Sequence, residues 1–254
     1  MKTKIILTVL TVVLPVLLSS CDNIKDIFGK ENDPKEHVTG KTYPSEGLVA
    51  YYPFNGNFND ESGYLNDGTN YGVRLVDDRL GKESSAASFN GINNYMSVPH
   101  NSLFNFGQGD FSVFAVVKTG VIPEGSWNAI VSKHNTERRH DTEFFLYIDG
   151  KTGHPVFGLS TSSGVFERIY GKRSICDNDY HALCGIKENG RLMFYVDGML
   201  IGSLRSTINP DNDNQINIGR SSYSSGYGYF NGVIDDVLIY ERALTEDEIA
   251  SMTF

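Results

Sequence analysis

From residue 47 onward, short apolar or alternating runs are separated by clusters of Gly, Asn, Asp and Ser. The runs fall at 48–54, 85–89, 95–98, 111–119, 129–132, 144–148, 156–160, 180–187, 192–196, 199–204, 216–218 and 233–240. Short segments rich in Val, Ile, Phe and Tyr and bounded by turn residues predict strands. In the 111–119 run Phe111, Val113, Ala115 and Val117 share one face, the period of a strand with a buried side. Asp149-Gly150, Asn189-Gly190 and Asp197-Gly198 lie between such runs and predict tight hairpins. One helix is predicted, at the end: Thr245-Glu246-Asp247-Glu248 fits a capping box, with Ile249 and Met252 following at helical spacing. Many strands and one short helix predict an all-β fold, a two-sheet antiparallel sandwich of jelly-roll type rather than βαβ units.

The first 46 residues have a different pattern. Lys2 and Lys4 precede an apolar run at 5–18, too short and wrongly flanked for a membrane span. It closes on Leu18-Ser19-Ser20-Cys21, which resembles the lipobox of bacterial lipoproteins; the resemblance implies cleavage before Cys21 and acylation of Cys21. Two or three acyl chains anchor a protein stably where one is marginal. The expected location is therefore the cell envelope, lipid-anchored to a bacterial membrane, with the outer membrane as the expected one. Residues 21–46 are polar, contain Pro34 and Pro44 and show no apolar period, as expected of a flexible tether. The expected division is a signal peptide at 1–20, a lipidated tether at 21–46 and one domain at 47–254.

Composition narrows the function. A formal net charge of −9, more acidic still once Lys2 and Lys4 are removed, argues against a nucleic-acid partner, which requires clustered basic residues. Three cysteines exclude a disulfide-dense scaffold. Cys176 and Cys184 are close enough in sequence to form a disulfide, and Cys184 equally suits a small buried thiol.

Four blocks resemble laminin G-like, concanavalin A-like jelly-roll domains. The first is Tyr51-Tyr52-Pro53-Phe54-Asn55-Gly56-Asn57-Phe58-Asn59-Asp60-Glu61-Ser62-Gly63 with Asn66 and Gly68. The second is Phe89-Asn90-Gly91 with Tyr95 and Val98-Pro99. The third is Tyr180-His181 with the hairpin Phe194-Tyr195-Val196-Asp197-Gly198. The last runs from Ile218-Gly219-Arg220 to Phe230-Asn231-Gly232-Val233-Ile234-Asp235-Asp236-Val237-Leu238-Ile239-Tyr240 and on to Leu244. Tyr180 stands where the family usually has Trp. The resemblance implies an antiparallel sandwich, frequently with one bound Ca²⁺, that binds more often than it catalyses, commonly toward carbohydrate. A fold does not by itself assign that role.

The resemblance makes Asp60 and Asp235, then Asn66, the expected side-chain ligands of a structural Ca²⁺, with Asp236 on the opposite face and exposed. Read from the residues, the alternative is that Asp60 and Asn66 stabilise turns and Asp235 accepts backbone N–H groups. For ligand binding, the Tyr/Ser/Gly segment 221–229 offers Tyr223 and Tyr227, rigid rings among small adaptable residues. Trp127, the single tryptophan, opens a strand-like run and is expected in the core. Lys133, His134, Arg138, Arg139 and His140 form a local basic cluster that Arg168, Lys172 and Arg173 would extend if the fold brought them near; it suits an anionic glycan or a solvated loop.

No catalytic constellation emerges. There is no H-E-x-x-H and no G-x-S-x-G. Glu31, Asp33 and Glu36 have the spacing of glycanase carboxylates, but Pro34 between them is incompatible with a sheet interior. The expected function is a membrane-anchored, non-catalytic carbohydrate-binding lipoprotein acting on an extracellular glycan. The alternatives are a module binding a cell-surface protein and, behind it, a diverged glycan hydrolase.

Overall fold

Period-two alternation produces strands with one side turned inward, and these pair into two stacked sheets. The computed structural model describes residues 42–122, 124–134, 143–221 and 228–253. In chain order the strands are β1 Leu48–Tyr52, β2 Thr69–Tyr71, β3 Arg74–Val76, β4 Ala86–Asn90, β5 Tyr95–Val98, β6 Phe111–Lys118, β7 Trp127–Ser132 and β8 Glu143–Asp149. They continue with β9 Pro155–Ser160, β10 Phe166–Tyr170, β11 Tyr180–Glu188, β12 Arg191–Val196, β13 Met199–Arg205, β14 Ile216–Ile218 and β15 Asn231–Tyr240; helix α1 is Glu246–Met252. The first sheet has the order β13-β12-β11-β6-β15-β4-β3, with β1 on the C-terminal half of β15. The second has the order β10-β9-β8-β7-β14-β5-β2. Every pairing is antiparallel, and the crossovers between sheets are those of the expected jelly roll.

The main core lies between the sheets. Phe111, Val113, Ala115 and Val117 project from β6 as their alternation predicts, facing Phe144, Leu146 and Ile148 of β8 and Phe157 and Leu159 of β9. Gly185 of β11 admits the Phe157 ring so closely that a Cβ would stand 2.2 Å from it. The Asn189-Gly190 and Asp197-Gly198 pairs have positive φ at both positions, as a two-residue hairpin of this twist requires. Asp149-Gly150 instead opens a longer connection over 150–154, where the Asp149 carboxylate accepts the Lys151 and Thr152 amides.

The outer face of the first sheet is also apolar. Phe114, Val116, Cys184, Leu238 and Tyr240 lie beneath Leu244, Ile249 and Met252. The predicted capping box is present: Thr245 Oγ1 accepts the Glu248 amide, and the Glu248 carboxylate accepts the Thr245 amide at 2.9 Å. Tyr43 is buried in the same cluster, its ring 5.2 Å from that of Tyr51. The last residues assigned to the tether, from Tyr43, are thus part of the packed body. No alternation precedes Leu48 to reveal this.

Candidate functional site

Among the described residues no helix covers the outer face of the second sheet, and its alternation places aromatic rings on it. In β8, Glu143, Phe145 and Tyr147 are out of phase with the inward Phe144, Leu146 and Ile148. In β7, Trp127 and Ala129 point the same way as Phe145 and Tyr147, and a bulge between Ala129 and Val131 returns Ser132 to that side. In β10, Phe166 and Arg168 alternate with Glu167 and with Ile169, which joins the inter-sheet core. Together these enclose an open cavity of about 330 Å³ with His134 and Ser221 at its edge.

The cavity has an apolar floor and two polar ends. Trp127 meets Tyr147 edge-on at 4.9 Å, and Phe145 lies 5.3 Å from Tyr147. The Arg168 guanidinium sits 4.0 Å above the Phe166 ring and within 6 Å of Trp127 and Phe145. Such cation–π seating orients the cation without neutralising it. At the other end Glu143 accepts from Ser160 Oγ at 3.2 Å and lies 3.1 Å from His134 Nδ1. Burial pushes the Tyr147 hydroxyl well above the ordinary phenol range, so it remains a neutral polar group. Stacking platforms beside a few polar anchors are the physical profile of a ligand site. Of the described lining residues only Glu143 carries a carboxylate, whereas glycoside hydrolysis needs two that face each other.

Farther along the same face, Tyr71 and Tyr95 are directly paired across β2 and β5 and stack at 4.4 Å with an interplanar angle of 6°. Arg220, just beyond β14, places its guanidinium 3.9 Å above Tyr95, with the Tyr229 ring 6.3 Å from Tyr95.

The residues singled out in the sequence fall elsewhere. Tyr223 and Tyr227 lie outside the described residues, as do Cys21, Arg138, Arg139, His140 and the Glu31–Glu36 pattern. Trp127, expected in the core, is 39% exposed and forms a wall of the cavity. Of the described members of the basic cluster, His134 and Arg168 line the same cavity and the others do not. Lys133 is buried, donating to Asn105 Oδ1 and the Asn212 carbonyl, and Arg173 faces Asp197.

The expected calcium ligands are not brought together as a set. Asp60 and Asn66 do meet, but Asp60 already accepts the amides of Tyr51, Ser62 and Asn66 and the Ser62 hydroxyl. Asn66 donates to the Val49 carbonyl and accepts from Asn101. Asp235 is engaged by a protein cation, the Arg79 guanidinium. Asp236, expected to be exposed, is fully buried: a bulge between Ile234 and Asp236 breaks the alternation, and both carboxylates turn to Arg79. Asp236 also accepts the Tyr43 hydroxyl at 2.7 Å and that of Tyr51 at 3.2 Å. Burial works against the Arg79 charge, yet Tyr43, Asp235 and Asp236 raise its pKa further above the ordinary value. These donors satisfy one another and do not fit a calcium ion; no group of three His, Cys, Asp or Glu suited to a metal occurs among the described residues.

Cys176 and Cys184 are free thiols. Of the two readings, the buried thiol is the one observed for Cys184: it lies under the helix, whereas Cys176 packs against the inter-sheet core on the other side of the first sheet.

Known proteins share this architecture. No curated protein matches the chain. The binding domain of Paraclostridial Mosquitocidal Protein 1 superposes with a TM-score of 0.66 at 19% identity, over 81% of this chain and 51% of that one. The binding domain of botulinum neurotoxin DC in complex with SialylT gives 0.64 at 16% identity, over 81% and 50%. Domain 4 of an extracellular arabinanase from Geobacillus stearothermophilus, in complex with arabinotriose, gives 0.61 at 20% identity, over 82% and 98%. The chain thus spans about half the length of these toxin binding domains. At such identities the likeness is one of fold. The model of the concanavalin A-like lectin/glucanases superfamily matches residues 90–250, most of the chain, and with the two-sheet jelly roll this establishes that the protein belongs to that superfamily.

Proposed function

We propose that the protein is a non-catalytic glycan-binding protein, held at a bacterial membrane, the outer one, by acyl chains on Cys21. The observation that carries the binding reading is the aromatic cavity on the uncovered sheet, with Trp127 and Phe166 presented to solvent beside Arg168. Ring faces stack on the apolar C–H faces of sugars, and the polar ends fix orientation. The solved relatives include one bound to arabinotriose and one to SialylT, which supports a binding role for this fold here. The anchor rests on Lys2, Lys4, the apolar run and the small residues before Cys21.

A glycan array probed with the whole chain tests the binding reading. At least one glycan is retained, and Trp127→Ala weakens it about tenfold or more, on the order of 1.4 kcal/mol, with melting unchanged. Silence across the array, together with recovery of a cross-linked surface protein, would instead favour the protein-binding alternative. For the anchor, incorporation of a labelled fatty acid is expected and is lost in Cys21→Ala.

A further inference from the structure

Four of the eight described arginines have protein partners, and two more, Arg74 and Arg205, are exposed on β3 and β13. Arg79, Arg173 and Arg242 face carboxylates, and Arg191 donates to Ser203. Arg168 and Arg220 differ. Neither guanidinium has a hydrogen bond or ion pair among the described residues, and the Nε of each is buried without a partner. Each rests instead on aromatic rings, Arg168 on Phe166 and Arg220 on Tyr95. Both stand on the same outer face; their backbones belong to β10 and to the residues just beyond β14, strands four sheet spacings or roughly 19 Å apart.

A guanidinium seated over a ring keeps its full charge and presents a fork of donors, which suits two-point capture of a planar or tetrahedral oxyanion. Two such cations on an acidic protein, Arg168 beside the exposed Trp127 and Phe166 and Arg220 over the half-buried Tyr95 that stacks on the exposed Tyr71, match a chain that repeats both an apolar face and a negative group. We infer that the outer face of the second sheet binds an acidic glycan chain, with Arg168 and Arg220 each receiving a carboxylate or sulfate from a different sugar unit. The inference rests on the glycan-binding reading above and adds the charge class and a second subsite at Tyr95 and Arg220. Simultaneous engagement makes the second contact intramolecular, so affinity rises steeply once the chain is long enough to reach both.

Calorimetric titration of the whole chain tests this with oligogalacturonate hexamers against their methyl esters, and with carrageenan hexamers against their desulfated forms. The pair that responds identifies the anion. An acidic hexamer is expected to bind about tenfold or more tighter than its neutral partner and than its own dimer. Arg220→Gln should abolish the advantage of hexamer over dimer, and Arg168→Gln should weaken both lengths. Neutral hexamers bound as tightly as acidic ones, array hits confined to neutral glycans, or an Arg220→Gln protein that binds hexamer normally would each overturn the inference and leave glycan binding standing. Absence of binding to every array glycan would overturn the glycan-binding reading itself. Unchanged thermal melting of both variants assigns any loss to the site.

Discussion

Arg79 Nη1 lies 2.6 Å from Asp236 Oδ2, joining the loop before β4 to the buried middle of β15, and the same nitrogen reaches Asp235. A cation supplied by the protein thus faces two fully buried carboxylates, offsetting one of their two charges, while the Tyr43 and Tyr51 hydroxyls donate to Asp236. Removing one partner from such a group leaves uncompensated charge in the interior. Arg79→Ala is therefore expected to lower unfolding free energy by about 3–5 kcal/mol in urea titrations, while excess chelator leaves the wild-type melting temperature unchanged. A fall in melting temperature on chelation would show that a metal, not Arg79 alone, balances this region.

His181 gives the fold a pH-sensitive contact. Its Nδ1 is 2.9 Å from Asp197 and its Nε2 3.1 Å from Asp177. The hydrogen bond with Asp197, opposed by burial and reinforced by Asp177, raises the His181 pKa above its ordinary 6.5. A raised pKa stabilises the fold fully below the unfolded value and loses that contribution as pH rises through the folded one. Melting temperature should accordingly drop as pH is taken upward from about 6.5, and His181→Gln should flatten that limb. Asp197 and Asp177 are shifted down, so their contribution is lost only in acid.

The C-terminal helix depends on its cap. Hydrogen bonds from Arg242, then that from the Thr245 amide, hold Glu248 down at about 2 against an ordinary 4.5. This contribution is present above pH 4.5 and is lost as pH falls toward 2. Thr245→Ala should cost about 1 kcal/mol, visible as faster amide exchange over α1 and exposure of Met252. Glu248→Gln should remove part of the acid sensitivity, modestly, because the pair is partly solvated.

Gly185 tests the fit between the sheets. Its missing side chain is what admits the Phe157 ring, so Gly185→Ala overpacks the core and should destabilise by about 1–3 kcal/mol. Gly185→Ala with Phe157→Leu should recover part of the loss in the same denaturation assay.

The strands of the core were legible because Phe111, Val113, Ala115 and Val117 alternate cleanly, and the helix because Thr245 and Glu248 stand at capping-box spacing. The site was harder to read. Phe145 and Tyr147 merge with Phe144, Leu146 and Ile148 into one apolar run that does not show which phase faces out. Phe166, Arg168 and Tyr170 alternate with Glu167 and Ile169, and the two adjacent charged residues interrupt the apolar run that would mark a strand. Trp127 signalled core by its size, whereas its pairing opposite Asp149 at the sheet end leaves it exposed. Asp236 is buried rather than exposed because one bulge in β15 reverses the period, a change with no sequence mark.

Trp127 is the only tryptophan and stands in the cavity wall, so its emission reports the central claim directly. Titrating glycans retained on the array should produce a saturable change in Trp127 fluorescence that Phe166→Ala abolishes while the fold is kept. Saturable glycan binding with unaltered Trp127 emission, and undiminished in Phe166→Ala, would place the ligand on another surface and contradict the account.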